Sequence, residues 1–109
     1  MSEINVQNKI KSNFNYLEQL IKYADNHNIK VILVSTPTTN LYKNYVTSTA
    51  QYFNLKNNIE KLSHYDNVII ADYFINNQDF ELSDFKDSDH LSAKGADKLS
   101  KKINNYLNK

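Results

Sequence analysis

Apolar residues recur at every third or fourth position through the first quarter of the chain, which is the period of a helix with one buried face. The pattern runs over residues 4–27, and Asn26 and Asn28 are suitable stop residues. Its apolar positions are Val6, Ile10, Phe14, Leu17, Ile21 and Ala24. We therefore predict a long amphipathic helix at the start of the chain.

Two short runs rich in β-branched residues lack any alternation of apolar and polar positions, which is typical of strands buried on both faces of a parallel sheet. They occupy residues 29–34 and 67–72. A second helical pattern lies between them, over residues 45–63. The face of this predicted helix consists of Tyr45, Ser48, Tyr52, Leu55, Ile59 and Leu62.

The other segments are a polar loop over residues 35–40 and an irregular stretch over residues 73–86. We expect the irregular stretch to be anchored in the core by Phe74, Phe80, Leu82 and Phe85. Ser92 is placed to cap a last helix. The buried side of that helix should consist of Ala96, Leu99, Ile103 and either Tyr106 or Leu107.

The order helix, strand, helix, strand, helix predicts a single α/β domain over residues 1–109, with a parallel sheet and right-handed crossovers. Two strands alone make a sheet whose edges and faces a short chain covers poorly. Either a third strand lies within residues 73–85, or another chain or a further segment completes the sheet.

The composition narrows the range of functions. All 13 basic residues are lysines and face 12 acidic residues, so the net charge is only +1. Without arginine the chain lacks the bidentate group that favours phosphate and base recognition, and we expect no nucleic-acid partner. The absence of cysteine excludes disulfides and thiolate chemistry. No run reaches membrane-spanning length and no signal-peptide core is visible, so we expect a soluble chain without membrane insertion or export signal, in a compartment that the sequence leaves open.

The candidate chemistry lies near the C-terminus, where Asp87 precedes His90 by three residues at the mouth of the last predicted helix. A carboxylate that holds one imidazole nitrogen leaves the other nitrogen free to take a proton from a nucleophile. Reactive groups of open α/β sheets gather beyond the carboxyl ends of the strands, where the loop after the first strand could meet this segment. We predict Asp87 and His90 as catalytic residues; the alternative is a surface histidine that only titrates near neutral pH.

The wider block Asp-x-Asp-His-Leu-Ser-x-x-Gly-Ala, which follows Phe85 and leads into an amphipathic helix, resembles the C-terminal block of the SGNH (GDSL-type) hydrolase family. Residues 31–37 and 68–73 are similar to the preceding parts of such proteins, notably bacterial members linked to acyl esters of cell-surface polymers. The resemblance covers residues 5–107, and only its last block is specific. It implies the C-terminal half of an SGNH-type domain with a three-layer, flavodoxin-like parallel sheet. It also implies Asp87 and His90 as the triad acid and base, and an acyl-ester or acylated-glycan substrate.

The chain departs from that family because it contains no Gly-Asp-Ser nucleophile turn, and its only glycine is Gly95. The resemblance therefore implies an esterase part that is inactive alone and needs a serine from the rest of the protein or from a partner. Ser35 follows a strand but lacks the small neighbours of a strained nucleophile elbow. Asn40 is either an oxyanion donor or a turn residue, and Asp72 is either a site-lining group or a strand-end cap.

Asp89 allows a metal interpretation together with Asp87 and His90. No second ligand cluster accompanies it, and we predict neither a metal site nor a cofactor. The eight tyrosines are read as packing residues rather than a sugar-binding groove. The alternative function is a non-catalytic α/β interaction module that completes its sheet by homodimerisation. Close packing is the expected reason for Gly95.

Overall fold

The computed structural model describes residues 3–107, and the side chains of residues 3–7 and of Ile10 lie outside that description. The expected burial of Val6 and Ile10 therefore falls outside the described side chains. The elements are helix α1 (Glu3–Asn26), strand β1 (Val31–Ser35), helices α2 (Asn40–Thr47) and α3 (Ala50–Leu62), strand β2 (Val68–Asp72), a 3-10 turn (Leu82–Asp84) and helix α4 (Ala93–Leu107). None of the helices between residues 3 and 107 combines the length and apolar character that crossing a bilayer requires.

The chain forms two compact units. The first unit consists of Met1–Leu33 and Asn54–Ile70, and the second consists of Val34–Phe53 and Ala71–Lys109. The candidate chemistry of residues 87–90 belongs to the second unit.

Helix α1 ends as the sequence predicts. Asn28 has a φ of 58°, and the backbone N–H groups of Asn28 and Ile29 donate to Asp25 and Ala24 over 3.1 and 2.8 Å. This pair of bonds satisfies the last carbonyls of the helix, and asparagine is one of the few residues that tolerate the left-handed conformation the motif requires.

Among the described residues the sheet consists of β1 and β2, which run parallel. Val31 N–H donates to Asn67 O at one end (2.8 Å), and Tyr73 N–H donates to Ser35 O at the other (2.9 Å). The predicted three-layer, flavodoxin-like sheet is wrong: helices make up 58% of the chain and the sheet has two strands. Both strands are mostly half-buried rather than buried on both faces, and within the described residues no further strand pairs with them.

A third strand does not form over residues 73–85, because turns interrupt this segment. The side chain of Asp72 accepts a hydrogen bond from Ile75 N–H (3.1 Å), and Asn76 N–H donates to the carbonyl of Asp72 (3.3 Å). These bonds close a turn directly after β2 and end the extended conformation. Leu82 opens the 3-10 turn with its side chain 81% exposed, so its predicted role as a core anchor is wrong.

The single helix predicted over residues 45–63 is two helices. The hydroxyl of Ser48 donates to Tyr45 O (2.6 Å), and the hydroxyl of Thr49 donates to Val46 O (2.7 Å) while accepting from Tyr52 N–H (3.2 Å). These side-chain bonds end α2 and begin α3. The apolar period continues through the break, which is why periodicity alone missed it.

In the first unit, Ile21 and Leu62 are completely buried and Ala24 is nearly so. Buried Asn67 donates from Nδ2 to the carbonyls of Ile21 (3.1 Å) and Ile29 (3.2 Å). One amide thereby satisfies acceptors on α1 and on the segment that leads into β1.

In the second unit, the inward face of α4 matches the prediction at Leu99, which is buried, and at Ile103 and Tyr106, which are half-buried. Ala96 is exposed rather than buried, and the neighbouring Gly95 is buried instead. A Cβ at Gly95 would overlap the carbonyl oxygen of Asp84 and lie 2.9 Å from the Leu91 side chain. Close packing is thus confirmed as the reason for this glycine, although its neighbour is the 3-10 turn rather than the sheet.

Candidate functional site

The candidate site is a short loop between the 3-10 turn and α4. Phe85 and Leu91 form an isolated antiparallel bridge, and inside it Lys86 N–H donates to His90 O (2.8 Å). The loop is therefore closed by its own backbone, and residues 87–89 form its tip. This local closure brings the side chains at positions 87 and 90 to the same side of the loop.

Asp87 and His90 are paired as the sequence predicts. The imidazole Nδ1 of His90 lies 2.8 Å from Oδ1 of Asp87 and 3.2 Å from Oδ1 of Asp89. The same Asp87 oxygen also accepts the backbone N–H of Asp89 (3.2 Å). This second bond fixes the carboxylate of Asp87 against its own loop, so the imidazole meets an acceptor that is already oriented.

The electrostatics of the pair follow from this geometry. The hydrogen bond to Asp87 raises the pKa of His90, helped by the charges of Asp87 and Asp89 and opposed by desolvation and by Lys86. The hydrogen bond from His90, in turn, lowers the pKa of Asp87. Both shifts favour an imidazolium beside a carboxylate. The pair is thus suited to stabilise the protonated imidazole that a general base becomes after it takes a proton.

The second ring nitrogen of His90 is available. Among residues 3–107, no group forms a hydrogen bond with Nε2, and the side chains of His90 and Asp87 are 68% and 51% exposed. The imidazole therefore has one nitrogen held by a carboxylate and the other open to a reactant. In general-base catalysis by histidine, one ring nitrogen is held in this way while the other takes the proton.

The loop after β1 reaches the tip of this loop. The backbone N–H and the hydroxyl of Thr39 both donate to Ser88 O, over 3.0 and 3.1 Å. The expectation that the segment following the first strand meets residues 87–90 is thus confirmed within the second unit. The residue that makes the contact, Thr39, was not among the candidates.

The other candidates have structural partners. Oδ1 of Asn40 accepts a hydrogen bond from Nδ2 of Asn77 (2.9 Å), and Asp72 closes the turn after β2, as its strand-end interpretation proposed. The carbonyl of Ser35 pairs with β2 through Tyr73, and its side chain is exposed. The structure supports the capping interpretation for Asp72. Asn40 is the first residue of α2, and its hydrogen bond with Asn77 tests neither of its two interpretations.

Asp87, Asp89 and His90 each offer one ligand atom, and these atoms lie within 4.8 Å of one another. All three residues are exposed. The distances between them are accounted for by the hydrogen bonds already described, so their proximity carries no argument for a bound ion.

Sequence reasoning also missed Asp84, which is completely buried at the base of the loop. Its carbonyl accepts the N–H of Ser92 (2.8 Å) where the chain returns to α4. Ser92 acts as the predicted cap, since its hydroxyl accepts the N–H of Gly95 (3.2 Å). The signal that the sequence offered was Gly95, three residues after Ser92, because a lone glycine there indicates close contact with another backbone segment.

A model of an uncharacterised protein family matches residues 3–109. The chain belongs to that family. No curated protein and no solved structure matches it. The family assignment says nothing of an activity, and nothing in these comparisons links the chain to SGNH hydrolases.

Proposed function

We propose that this chain is the C-terminal part of an SGNH-type serine esterase or acyl-ester hydrolase, in which Asp87 and His90 are the acid and base of the triad. The observation that carries the proposal is the 2.8 Å contact between Nδ1 of His90 and Oδ1 of Asp87, together with an open Nε2. The serine comes from the rest of the protein or from a partner chain. The substrate class is an acyl ester or an acylated glycan.

In this reaction Asp87 accepts a hydrogen bond from Nδ1–H of His90, remains a carboxylate and fixes the orientation of the ring. Nε2 of His90 removes the hydroxyl proton of the serine as its oxygen attacks the ester carbonyl, and then delivers that proton to the departing alkoxide. The acyl-enzyme is hydrolysed by the same steps, with water in place of serine. An acid and base without a nucleophile and an oxyanion hole accelerate little, so the isolated chain should hydrolyse esters at the background rate.

The direct test is to express the chain joined to the coding sequence that precedes Met1, or with a chain that copurifies with it. We expect that sequence to carry Gly-Asp-Ser after an apolar strand, and the assembly to hydrolyse p-nitrophenyl acetate. His90→Ala should lower kcat by a factor of about 10³ or more, whereas His64→Ala, a matched change at an exposed histidine of the first unit, should not.

Turnover that survives His90→Ala would contradict the proposal, and so would the absence of such a serine from both the reading frame and any copurifying chain. The isolated chain supplies a further check. Turnover by it that is lost in both His90→Ala and Ser35→Ala would show that Ser35 is an internal nucleophile, and the claim of a missing serine would be wrong.

The second candidate function is the non-catalytic α/β interaction module that self-associates. Each strand pairs only with the other strand among the described residues, so each has one edge without a partner strand. In addition, Tyr16, Leu20 and Tyr23 lie on one face of α1 and are 70, 58 and 60% exposed. Sedimentation equilibrium tests this candidate: a monomer that persists at high concentration contradicts it, and a dimer supports it.

A further inference from the structure

Asp84 is completely buried, whereas the two residues of the candidate pair are mostly exposed. We propose that Asp84 is a positioning residue: its side chain, held by Lys98, fixes the base of the loop that brings Asp87 and His90 together. The effect of Asp84 on catalysis rests on the proposed function, but its effect on the arrangement of the loop does not.

The carboxylate of Asp84 connects two elements of the second unit. Its Oδ2 accepts the backbone N–H of Glu81 (2.9 Å), which caps the 3-10 turn, and the ammonium of Lys98 on α4 (2.6 Å). Lys98 is itself placed by a second hydrogen bond, to the carbonyl of Asp79 (2.9 Å), and by the ring of Phe80, whose centroid lies 5.5 Å from Nζ. Lys98 is therefore held in place from three sides.

The backbone of Asp84 continues the connection into the loop. Its carbonyl oxygen accepts Ser92 N–H (2.8 Å), so one residue joins the start of the loop to its return. The close approach of Gly95 to the same carbonyl leaves no room for the turn to move toward α4. Rotation of the Asp84 backbone would break the bond that closes the loop.

The charge of Asp84 makes this arrangement depend on Lys98. The hydrogen bond from Lys98, with that of the Glu81 backbone, lowers the pKa of Asp84, so the buried group is a carboxylate. Among the described residues its Oδ1 has no hydrogen-bond partner and forms only an ion pair with Nζ of Lys94, 3.7 Å away. Removal of Lys98 takes away the charged donor on Oδ2 and leaves that longer ion pair, so the buried carboxylate should move toward solvent and displace its own backbone.

The exposed pair needs such an anchor because packing does not hold it. Asp87 and His90 contact water over more than half of their surfaces, so their distance is set by the loop backbone. That backbone is fixed at the tip by Thr39 and at the base by the Asp84 carbonyl. Removing Lys98 should therefore loosen the pair from a distance, since Lys98 touches neither of its members.

The experiment compares Lys98→Met with Lys101→Met, a matched change on the same helix at an exposed lysine that pairs with exposed Asp97. The readout is the NMR titration of the His90 imidazole in the isolated folded chain, with circular dichroism to confirm folding. The groups around the ring that contribute are Asp87, Asp89 and Lys86, and all three remain in both variants.

In the wild-type chain we expect the pKa of His90 to lie above its ordinary value of 6.5. Lys98→Met should move the pKa of His90 back toward 6.5, Lys101→Met should leave it at the wild-type value, and Lys98→Arg should restore the elevation. If Lys98→Met does not fold, the pair Asp84→Asn and Lys98→Met is used, because it leaves no buried charge without a cation.

A folded Lys98 variant with the wild-type titration of His90 would overturn the positioning role of Asp84 and leave the proposed function standing. An ordinary His90 pKa in the wild-type chain would instead contradict the Asp87 to His90 pair itself. Failure of both the single and the double variant to fold at 10 °C would assign Asp84 and Lys98 to the stability of the whole unit, which also overturns the proposal.

Discussion

The hydroxyl and the backbone N–H of Thr39 converge on one carbonyl oxygen, that of Ser88, across 49 residues of sequence. Thr39 is at the same time the N-cap of α2, where its side-chain oxygen accepts Tyr42 N–H (3.4 Å). One residue therefore starts a helix and holds the tip of the candidate loop. The stability of α2 and the position of the loop are coupled through it.

Replacing Thr39 by alanine tests this coupling. The change removes the cap and one of the two bonds to Ser88, so we expect a loss of about 1 kcal/mol in the free energy of unfolding. Amide hydrogen exchange should become faster at residues 86–90. Thr39→Ser keeps both hydroxyl bonds and should behave as the wild type, while Thr47→Ala, which removes an exposed bond to Asn44, serves as the control. Unchanged exchange in Thr39→Ala would contradict the coupling.

Gly95→Ala should destabilise the second unit. The added methyl group overlaps the carbonyl oxygen of Asp84 and lies 2.9 Å from the Leu91 side chain, so the 3-10 turn and α4 must move apart. We expect a cost of about 1–3 kcal/mol despite the better helix propensity of alanine. Urea denaturation measures it, with Ala96→Ser on the exposed neighbouring position as the control. A more stable Gly95→Ala variant would show that the contact is not as close as described.

Asn67→Ala should destabilise the first unit. The amide of Asn67 donates to the carbonyls of Ile21 and Ile29, and its loss removes one buried and one part-buried hydrogen bond. Each unsatisfied carbonyl costs about 1–3 kcal/mol when water cannot replace the donor. Thermal unfolding should begin at a markedly lower temperature, whereas Asn57→Ala on the exposed side of α3 should leave the midpoint nearly unchanged. Equal midpoints in the two variants would refute this role of Asn67.

The pairing of Asp87 and His90 predicts a window of pH in which it stabilises the fold. Because the pKa of His90 is raised in the folded state, its contribution is complete below 6.5 and is lost as pH rises through the raised value. Because the pKa of Asp87 is lowered, its contribution is complete above 3.8 and is lost as pH falls through the lowered value.

The difference in melting temperature between the wild type and His90→Asn should thus be largest between about pH 4 and 6.5 and vanish in alkali. It should amount to a few degrees at most, and decrease with added salt, because both groups are exposed. In an Asp87→Asn background the difference should shrink. A difference in melting temperature that increases toward alkaline pH would contradict the pairing of Asp87 and His90.

The sequence predicted those parts of the fold that depend on local pattern. The two strands lie within two residues of their predicted positions because β-branched apolar runs are unlike their surroundings, and Asn28 ended α1 through its own backbone conformation. The extent of the sheet could not be predicted in this way. It depends on which segments pair, and the turn closed by Asp72 removed the stretch that was available for a third strand.

The difference between local pattern and contacts over a long sequence distance also explains which residues of the candidate site could be predicted. Asp87 and His90 could be found from their spacing because the loop that joins them is closed locally. Asp84 could not, since its partner Lys98 is 14 residues away and a lone aspartate in a polar segment gives no sign of burial. Thr39 was missed because it binds the backbone carbonyl oxygen of Ser88, a group that any residue could provide.

The exposure of His90 gives the proposed enzyme a natural reporter. In the chain as described, the imidazole is open to acylating reagents such as diethyl pyrocarbonate, which react with the unprotonated ring. Whatever polypeptide brings the serine must place it against Nε2 and exclude bulk water from that nitrogen. Protection of His90 from modification would then report assembly, even in a preparation whose substrate has not been found.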